Sequence, residues 1–257
     1  MRVSHEVPIA LLEQSRNFND YDYALVHLFD EYPEYYEFYK KSVQSNRHVL
    51  LDNSIFELGE AYIGYEFAKW IEKLRPTEYI IPDSLDNAEE TIYNLDNWIQ
   101  NYDVPGKTIG VAQGSTYEEF EKCFLYVQDR VDKVALSFDC KFYHDMFNPS
   151  DYFNKWQCFM FGRIKTLNKL FTKDLVKKPL HLLGCALPQE FVHYRKNKWI
   201  DTLDTSNPVV HGIKGIRYKS YGLLHKQSIK LVDMIEEKNI QLTDIQYNLQ
   251  AFRKFIK

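Results

Sequence analysis

The chain has 257 residues and a formal net charge of −4, enough for one large α/β domain or two small ones, either with a sizeable core. No run of about 18 apolar residues is present, and the N-terminal MRVSHEVPIALLEQ has neither the basic region nor the long apolar core of a leader, so a soluble, cytoplasmic protein with no membrane partner is expected. Cys123, Cys140, Cys158 and Cys185 are widely spaced with no CxxC or paired-His motif; they are expected to be reduced core thiols, with no metal site and no cofactor.

The small net charge conceals an asymmetry. Residues 1–129 hold 10 Lys+Arg against 24 Asp+Glu, whereas residues 130–257 hold 22 against 12. A basic half is the electrostatic footprint of a polyanion binder, although two solvated faces would give the same count.

Short apolar runs alternate with helical patterns along most of the chain, which is the signature of βα units and a parallel sheet. Val7–Leu12 and Tyr23–His27 are the first candidate strands, followed by an aromatic-rich helix at Tyr32–Ser45. His48-Val49-Leu50-Leu51-Asp52 then reads as a buried strand closed by a carboxylate. The spacing of Phe67, Trp70, Ile71 and Leu74 predicts a helix over Ala61–Leu74. Glu78–Asp83 is a strand that again ends in an acid, and helix Asn87–Tyr102 follows, with Asp86 or Asn87 as its cap.

Thr108–Gly114 ends in an amide and a glycine, and Thr116 with Glu119 forms a capping box for helix Tyr117–Gln128. Lys133–Asp139 is the next strand, and Asp151–Leu170 a long, increasingly basic helix. Leu180–Ala186 and Trp199–Asp204 are strands separated by a short helix at Pro188–Asn197. Two helices, about 222–238 and 243–256, finish the chain. No Gly/Ser/Pro-rich linker interrupts this order, so residues 1–257 are expected to form a single domain, with the helices of about 222–257 packed on it. Polar groups close at least five strands in succession, which favours a (β/α)8 TIM barrel over an open doubly wound sheet. Neither G-x-G-x-x-G nor G-x-x-x-x-G-K-[ST] occurs, which argues against dinucleotide and P-loop chemistry.

Collected at the strand ends are Asp52, Asp83, Gln113, Asp139 and Asp204, with Gly114 and Gly184 permitting close backbone approach. Two carboxylates on one sugar suit substitution at an anomeric carbon: one attacks or stabilises the cationic transition state while the other moves protons. Gln and Asp suit the donor–acceptor edge of a purine, and Phe56 could stack on it. Each residue also has a plainer role. Asp52 and Asp83 could cap helices, Asp201 competes with Asp204, Gln113-Gly114 could be an ordinary turn, and His181 could be a satisfied core histidine.

The order of motifs resembles the tRNA-guanine transglycosylase superfamily, the barrel enzymes that exchange guanine for a 7-deazaguanine. Leu51-Asp52-Asn53-Ser54-Ile55-Phe56 resembles its LDSGGF/Y loop, Ile81-Pro82-Asp83 the position of its base-reading Asp, and Val111-Ala112-Gln113-Gly114 its VQGG-like turn. Ala135-Leu136-Ser137 stands where its GLAVGE segment offers backbone groups. His181-Leu182-Leu183-Gly184 resembles YLMG, Leu203-Asp204 before Asn207-Pro208 resembles FDCVLP, and Gly215-Ile216-Arg217-Tyr218 resembles its INIRNA-like stretch. The similarity spans about residues 47–220.

There are departures. Ser54-Ile55 replaces a double glycine, Ala-Leu-Ser-Phe-Asp replaces GLAVGE, and the CxCxxC…H zinc subdomain is missing. That subdomain helps dock tRNA, so the compact form is more similar to the DpdA-type enzymes, notably of phages, that place 7-deazaguanines in DNA. The resemblance implies Asp204 as nucleophile and Asp52 as general acid/base. It implies Asp83, Gln113, Gly114, Phe56, Leu136, Leu183 and Gly184 around the base. DNA would then be the partner, its phosphates held by Arg163, Lys165, Lys169, Lys214, Arg217 and Lys219. Action on tRNA, hydrolysis of a nucleoside, and a non-catalytic nucleic-acid-binding barrel remain the other functions to weigh.

Overall fold

Eight short, almost wholly buried runs form parallel strands: β1 (Arg2–Ser4), β2 (Asp22–Leu25), β3 (Val49–Asp52), β4 (Glu78–Ile80), β5 (Lys107–Ala112), β6 (Lys133–Ser137), β7 (Leu180–Leu183) and β8 (Ile200–Asp204). They belong to a computed structural model that describes residues 1–257 apart from Pro149, Ser150, Tyr152 and Ser228. The strand order is β1-β8-β7-β6-β5-β4-β3-β2, all parallel. The two edges approach each other without a full ladder. The Asp20 N–H donates to the Val3 carbonyl at 2.9 Å, and Asn19 exchanges side-chain hydrogen bonds with the backbone of His5. The result is a nearly closed (β/α)8 barrel, as the succession of strand-ending polar groups predicts.

Helices wrap the sheet where the sequence places them. Pro33 opens Pro33–Gln44 at a position where a missing N–H costs nothing, and Asn87 caps Ala88–Asn101 by accepting from the Glu90 N–H. Helix Tyr117–Gln128 is capped by Thr116, while Glu119 reaches past it to the N–H and hydroxyl of Ser115. Helix Lys155–Thr172 begins four residues later than expected, because Asn154 and Gln157 form a full capping box there; Tyr152, within the expected range, lies outside the described residues.

Two expected elements are different. Val7–Leu12 is not a strand: Ile9–Leu11 is a 3-10 turn leading into a single helical turn at Leu12–Ser15, and the first strand is instead Arg2–Ser4. The expected helix at 222–238 is a strap with one 3-10 turn at Val232–Met234, and Ser228 within it lies outside the described residues. Its apolar residues serve separate anchors instead of one helical face. The Leu223 backbone exchanges hydrogen bonds with the Gln189 side chain, while Leu231 and Met234 pack on Val210. Helix Leu242–Ile256 closes the chain and packs on Asn207–Ile213.

The barrel interior is polar at its lower end. Lys133 on β6 donates to Glu78 on β4 at 2.7 Å and to the Thr202 hydroxyl on β8 at 3.3 Å, which places all three inside the barrel. Alternate strands therefore supply one interior layer. Burial opposes ionisation of Glu78, but the His48 hydrogen bond and the Lys133 charge outweigh it and hold the carboxyl at about 2. Asp201 belongs to this lower end, bonded to Arg2 and Lys133, and burial is again outweighed to leave it at about 2. That separates it from Asp204.

Candidate active site

A cavity of about 350 Å³ lies at the C-terminal ends of the strands. Asp52, Asp83, Gln113, Asp139 and Asp204 all line it, together with Phe56, Leu183 and Gly184. Asp52 from β3 and Asp204 from β8 thus meet at one space, although 152 positions separate them in the chain. This is the face on which barrel enzymes assemble their chemistry from several strand ends.

The loop after β3 is built around its backbone. Ser54 adopts a left-handed conformation (φ 62°), unusual for a residue with a side chain, at a position where glycine would be unstrained. Two short side chains brace it: Asp52 accepts from the Ser54 N–H at 3.0 Å and Asn53 accepts from the Ile55 N–H at 3.0 Å. Asn53, wholly buried, also donates to the Ile81 carbonyl at 3.0 Å and to Asp83 at 2.8 Å, tying the loop to the end of β4. Gln113 donates to the other Asp83 oxygen at 2.8 Å, and its carbonyl accepts from the Asp86 N–H. Two amides thus hold the Asp83 carboxylate, one on each oxygen, at the cavity wall. Burial raises its proton affinity and these two hydrogen bonds oppose the rise.

Asp204 is held by β7 and the turn that follows it. His181 Nε2 lies 3.0 Å from Oδ1, and the Gly184 N–H approaches both oxygens at 3.3–3.4 Å. Gly184 has φ 63°, and a Cβ there would lie 2.5 Å from the Phe138 ring, so this close approach requires glycine. Tyr23 stacks on His181 with ring centroids 6.0 Å apart and contributes to the cavity wall.

Acids crowd this space. Glu6 and Glu57 join Asp52 and Asp204 around it. Burial, then the Glu57 and Asp204 charges, push the Asp52 carboxyl well above the ordinary carboxylate range. Burial likewise raises Glu57 to about 7, and Glu6 is raised by burial and by Asp204, Glu57 and Asp52. Burial and mutual repulsion thus favour the protonated forms of these acids, the form that a proton donor needs. The four cysteines are buried and free, and burial pushes the cavity-lining Cys185 thiol up, away from a nucleophilic thiolate.

Several expected contacts are placed elsewhere. Arg163 is a correction: it is completely buried and cannot meet a phosphate. It forms a bidentate pair with Glu190 at 2.6 and 3.1 Å, and it donates to the carbonyls of Leu183 and Gly184. Its guanidinium therefore shapes the turn that carries Gly184. Gly114 does not line the cavity; a Cβ there would lie 2.4 Å from the Phe120 N, so this glycine serves the close packing of the following helix. Leu136 is buried behind the wall, its carbonyl accepting from Arg163. Lys165, Lys169, Lys214, Arg217 and Lys219 are exposed and lie outside the cavity lining, and Arg217 is paired with Asp244 at 2.6 Å.

Glu6, Tyr23, Glu57, Lys155, Trp156, Phe159, Lys226 and Lys230 also line the cavity, and no strand-end pattern in the sequence marks them. Glu6 follows a strand too short to announce itself, and Lys226 and Lys230 lie on the strap. Among the described residues, no group of three or more metal-ligating side chains is placed to hold an ion, and no helix is long and apolar enough to cross a membrane. The chain matches no protein-family model and no curated protein.

Proposed function

We propose that the chain is a glycosyltransferase that exchanges guanine in DNA for a 7-deazaguanine through a covalent aspartyl-glycosyl intermediate. The observation that carries this reading is the convergence of Asp52 and Asp204 on one cavity beside the fixed Asp83–Gln113 pair. The order of motifs along the chain supports the same reading.

The extruded guanine lies against Phe56, its Watson–Crick edge toward Asp83 and Gln113. An Asp204 oxygen attacks C1′ while the C1′–N9 bond breaks and its electron pair leaves with the base. Asp52 gives its proton to the departing guanine. The incoming 7-deazaguanine returns a proton to Asp52 as its N9 attacks C1′, and the C1′–O bond to Asp204 breaks. Two inversions restore the original anomer.

The test is incubation of the protein with guanine-containing DNA and a labelled 7-deazaguanine. Label should enter the DNA as guanine is released, and Asp52→Asn and Asp204→Asn should each abolish it. Release of guanine without incorporation of label would instead identify a hydrolase of the same fold.

A further inference from the structure

The cavity is lined by groups of both charges, supplied by different elements. Strand ends and the loops leaving them supply its carboxyl groups, whereas the strap and the start of helix Lys155–Thr172 supply Lys226, Lys230 and Lys155. Among the described residues no ion pair involves these three lysines; the lysines that are paired are Lys40, Lys69, Lys133, Lys141 and Lys173. They are placed against aromatic rings instead. Lys155 Nζ lies 5.0 Å and Lys226 Nζ 5.7 Å from the centre of the same Trp156 ring, and Lys226 is also 4.0 Å from that of Phe138. Lys230 Nζ lies 5.2 Å from the Phe56 ring and donates to the carbonyls of Phe56 and Glu57, which fastens the strap to the loop after β3.

An aromatic face holds an ammonium in place without neutralising it. Lys226 and Lys155 thus present two ammonium groups with no ion-pair partner among the described residues to an acid-lined cavity; Lys155 is exposed, whereas Lys226 is half-buried, burial lowers its proton affinity, and the nearby Asp139 and Glu6 charges oppose that. That arrangement suits a ligand with a neutral, donor-rich end and an anionic end. We propose that Lys226 and Lys155, assisted by Lys230, bind the phosphate of a nucleotide unit whose base and sugar lie among the carboxyl groups. What occupies the acidic interior rests on the base-exchange reading; the lysine site itself rests on the geometry of the rim. Phosphate contact then belongs to the cavity mouth, with the exposed cations of the outer helices in a lesser role.

The same phosphate chemistry is offered by a free mononucleotide and by a strand. Calorimetric titration of the whole protein with deoxyguanosine, dGMP and a short single-stranded oligodeoxynucleotide containing one guanine separates them. At least one phosphate-bearing ligand should bind tenfold or more tighter than deoxyguanosine. The double variant Lys155→Gln/Lys226→Gln should erase that advantage, read as the ratio of the phosphorylated ligand's affinity to that of deoxyguanosine in the same variant, while Lys165→Gln/Lys169→Gln should keep it. For the oligonucleotide, the log–log salt slope should shrink by about 0.7 for each phosphate contact removed. A preference for dGMP assigns the site to mononucleotides, and a preference for the oligonucleotide assigns it to a strand. Equal affinity for nucleoside and phosphorylated ligands, or an unchanged advantage in the double variant, would overturn the proposal. Free guanine keeps the two readings apart: if its binding is indifferent to Asp83→Asn, the base-exchange reading fails while the lysine site stands or falls on the other arms.

Discussion

His181 Nε2 lies 3.0 Å from Asp204 Oδ1, and its other ring nitrogen lies 2.9 Å from the Thr202 hydroxyl. Lys133 can only donate, so Thr202 Oγ1 accepts from it and is free to donate onward to His181 Nδ1. With Thr202 donating to Nδ1, the Nε2–H is the group that donates to Asp204. His181 thereby occupies one carboxylate oxygen, and the Gly184 N–H bears on both at 3.3–3.4 Å. A chain of hydrogen bonds thus runs from the lower end of the barrel to the proposed nucleophile.

His181→Phe should therefore slow formation of the glycosyl-enzyme on the order of 100-fold by freeing the Asp204 carboxylate to turn. His181→Gln, whose amide can donate to the same oxygen, should recover much of that loss. Nitrogen NMR of the imidazole gives a reading independent of activity: the ring should be the Nε2–H tautomer, and an Nδ1–H ring would contradict the relay.

The acid cluster makes stability depend on pH. Glu57 has a folded value of about 7, above its ordinary 4.5, so it contributes stability that is complete below about 4.5 and is lost as pH rises through about 7. Glu57→Gln should raise the melting temperature at pH 8.5 and leave it nearly unchanged at pH 5. An equal shift at both would show that its charge is not the cause. If Asp52 donates the proton, adduct formation should also decline with rising pH as the raised acid cluster ionises.

The lower end of the barrel responds in the opposite sense. Glu78 and Asp201 both have folded values of about 2, so they stabilise the fold above their ordinary values, near 4, and lose that effect as pH falls toward 2. Lys133→Met leaves both acids without their shared cation and should cost about 3–5 kcal/mol in urea unfolding at pH 7. The loss should shrink at pH 3; a loss that grows with acid would mean that the ion pairs are not its source.

Arg163 provides a control between structure and binding. Arg163→Lys cannot keep both bonds to Glu190 and the bonds to the carbonyls of Leu183 and Gly184, so it should lower stability by about 3 kcal/mol. Its oligonucleotide binding, measured below the melting transition, should keep the salt slope of the parent, because a buried guanidinium releases no counterion.

Much of this architecture is legible in the residues, and the exceptions have physical causes. Strands β3 to β8 announce themselves because each is buried on both faces and most close in a polar residue at the cavity. The run Val7–Leu12 is equally apolar yet turns into 3-10 and helical segments, since Leu11 and Leu12 reach the core from a turn as well as a strand would allow. β1 has only Val3 as an apolar residue, so it escapes pattern reading and Glu6 escapes with it. The strap carries helix-like spacing but anchors Leu223 and Leu231 at different places, which hides Lys226 and Lys230 from any periodicity. Arg163 reads as a phosphate contact under the resemblance because the sequence does not reveal that Glu190 is buried against it.

In the proposed reaction Asp204 becomes covalently attached to a sugar carbon. Mass spectrometry of the denatured protein after brief exposure to guanine-containing DNA, followed by peptide mapping, measures this directly. The expected result is a nucleic-acid adduct on the peptide bearing Asp204, absent from Asp204→Ala and accumulating when no 7-deazaguanine is supplied. An adduct that persists in Asp204→Ala, or one that maps to another residue, would contradict it.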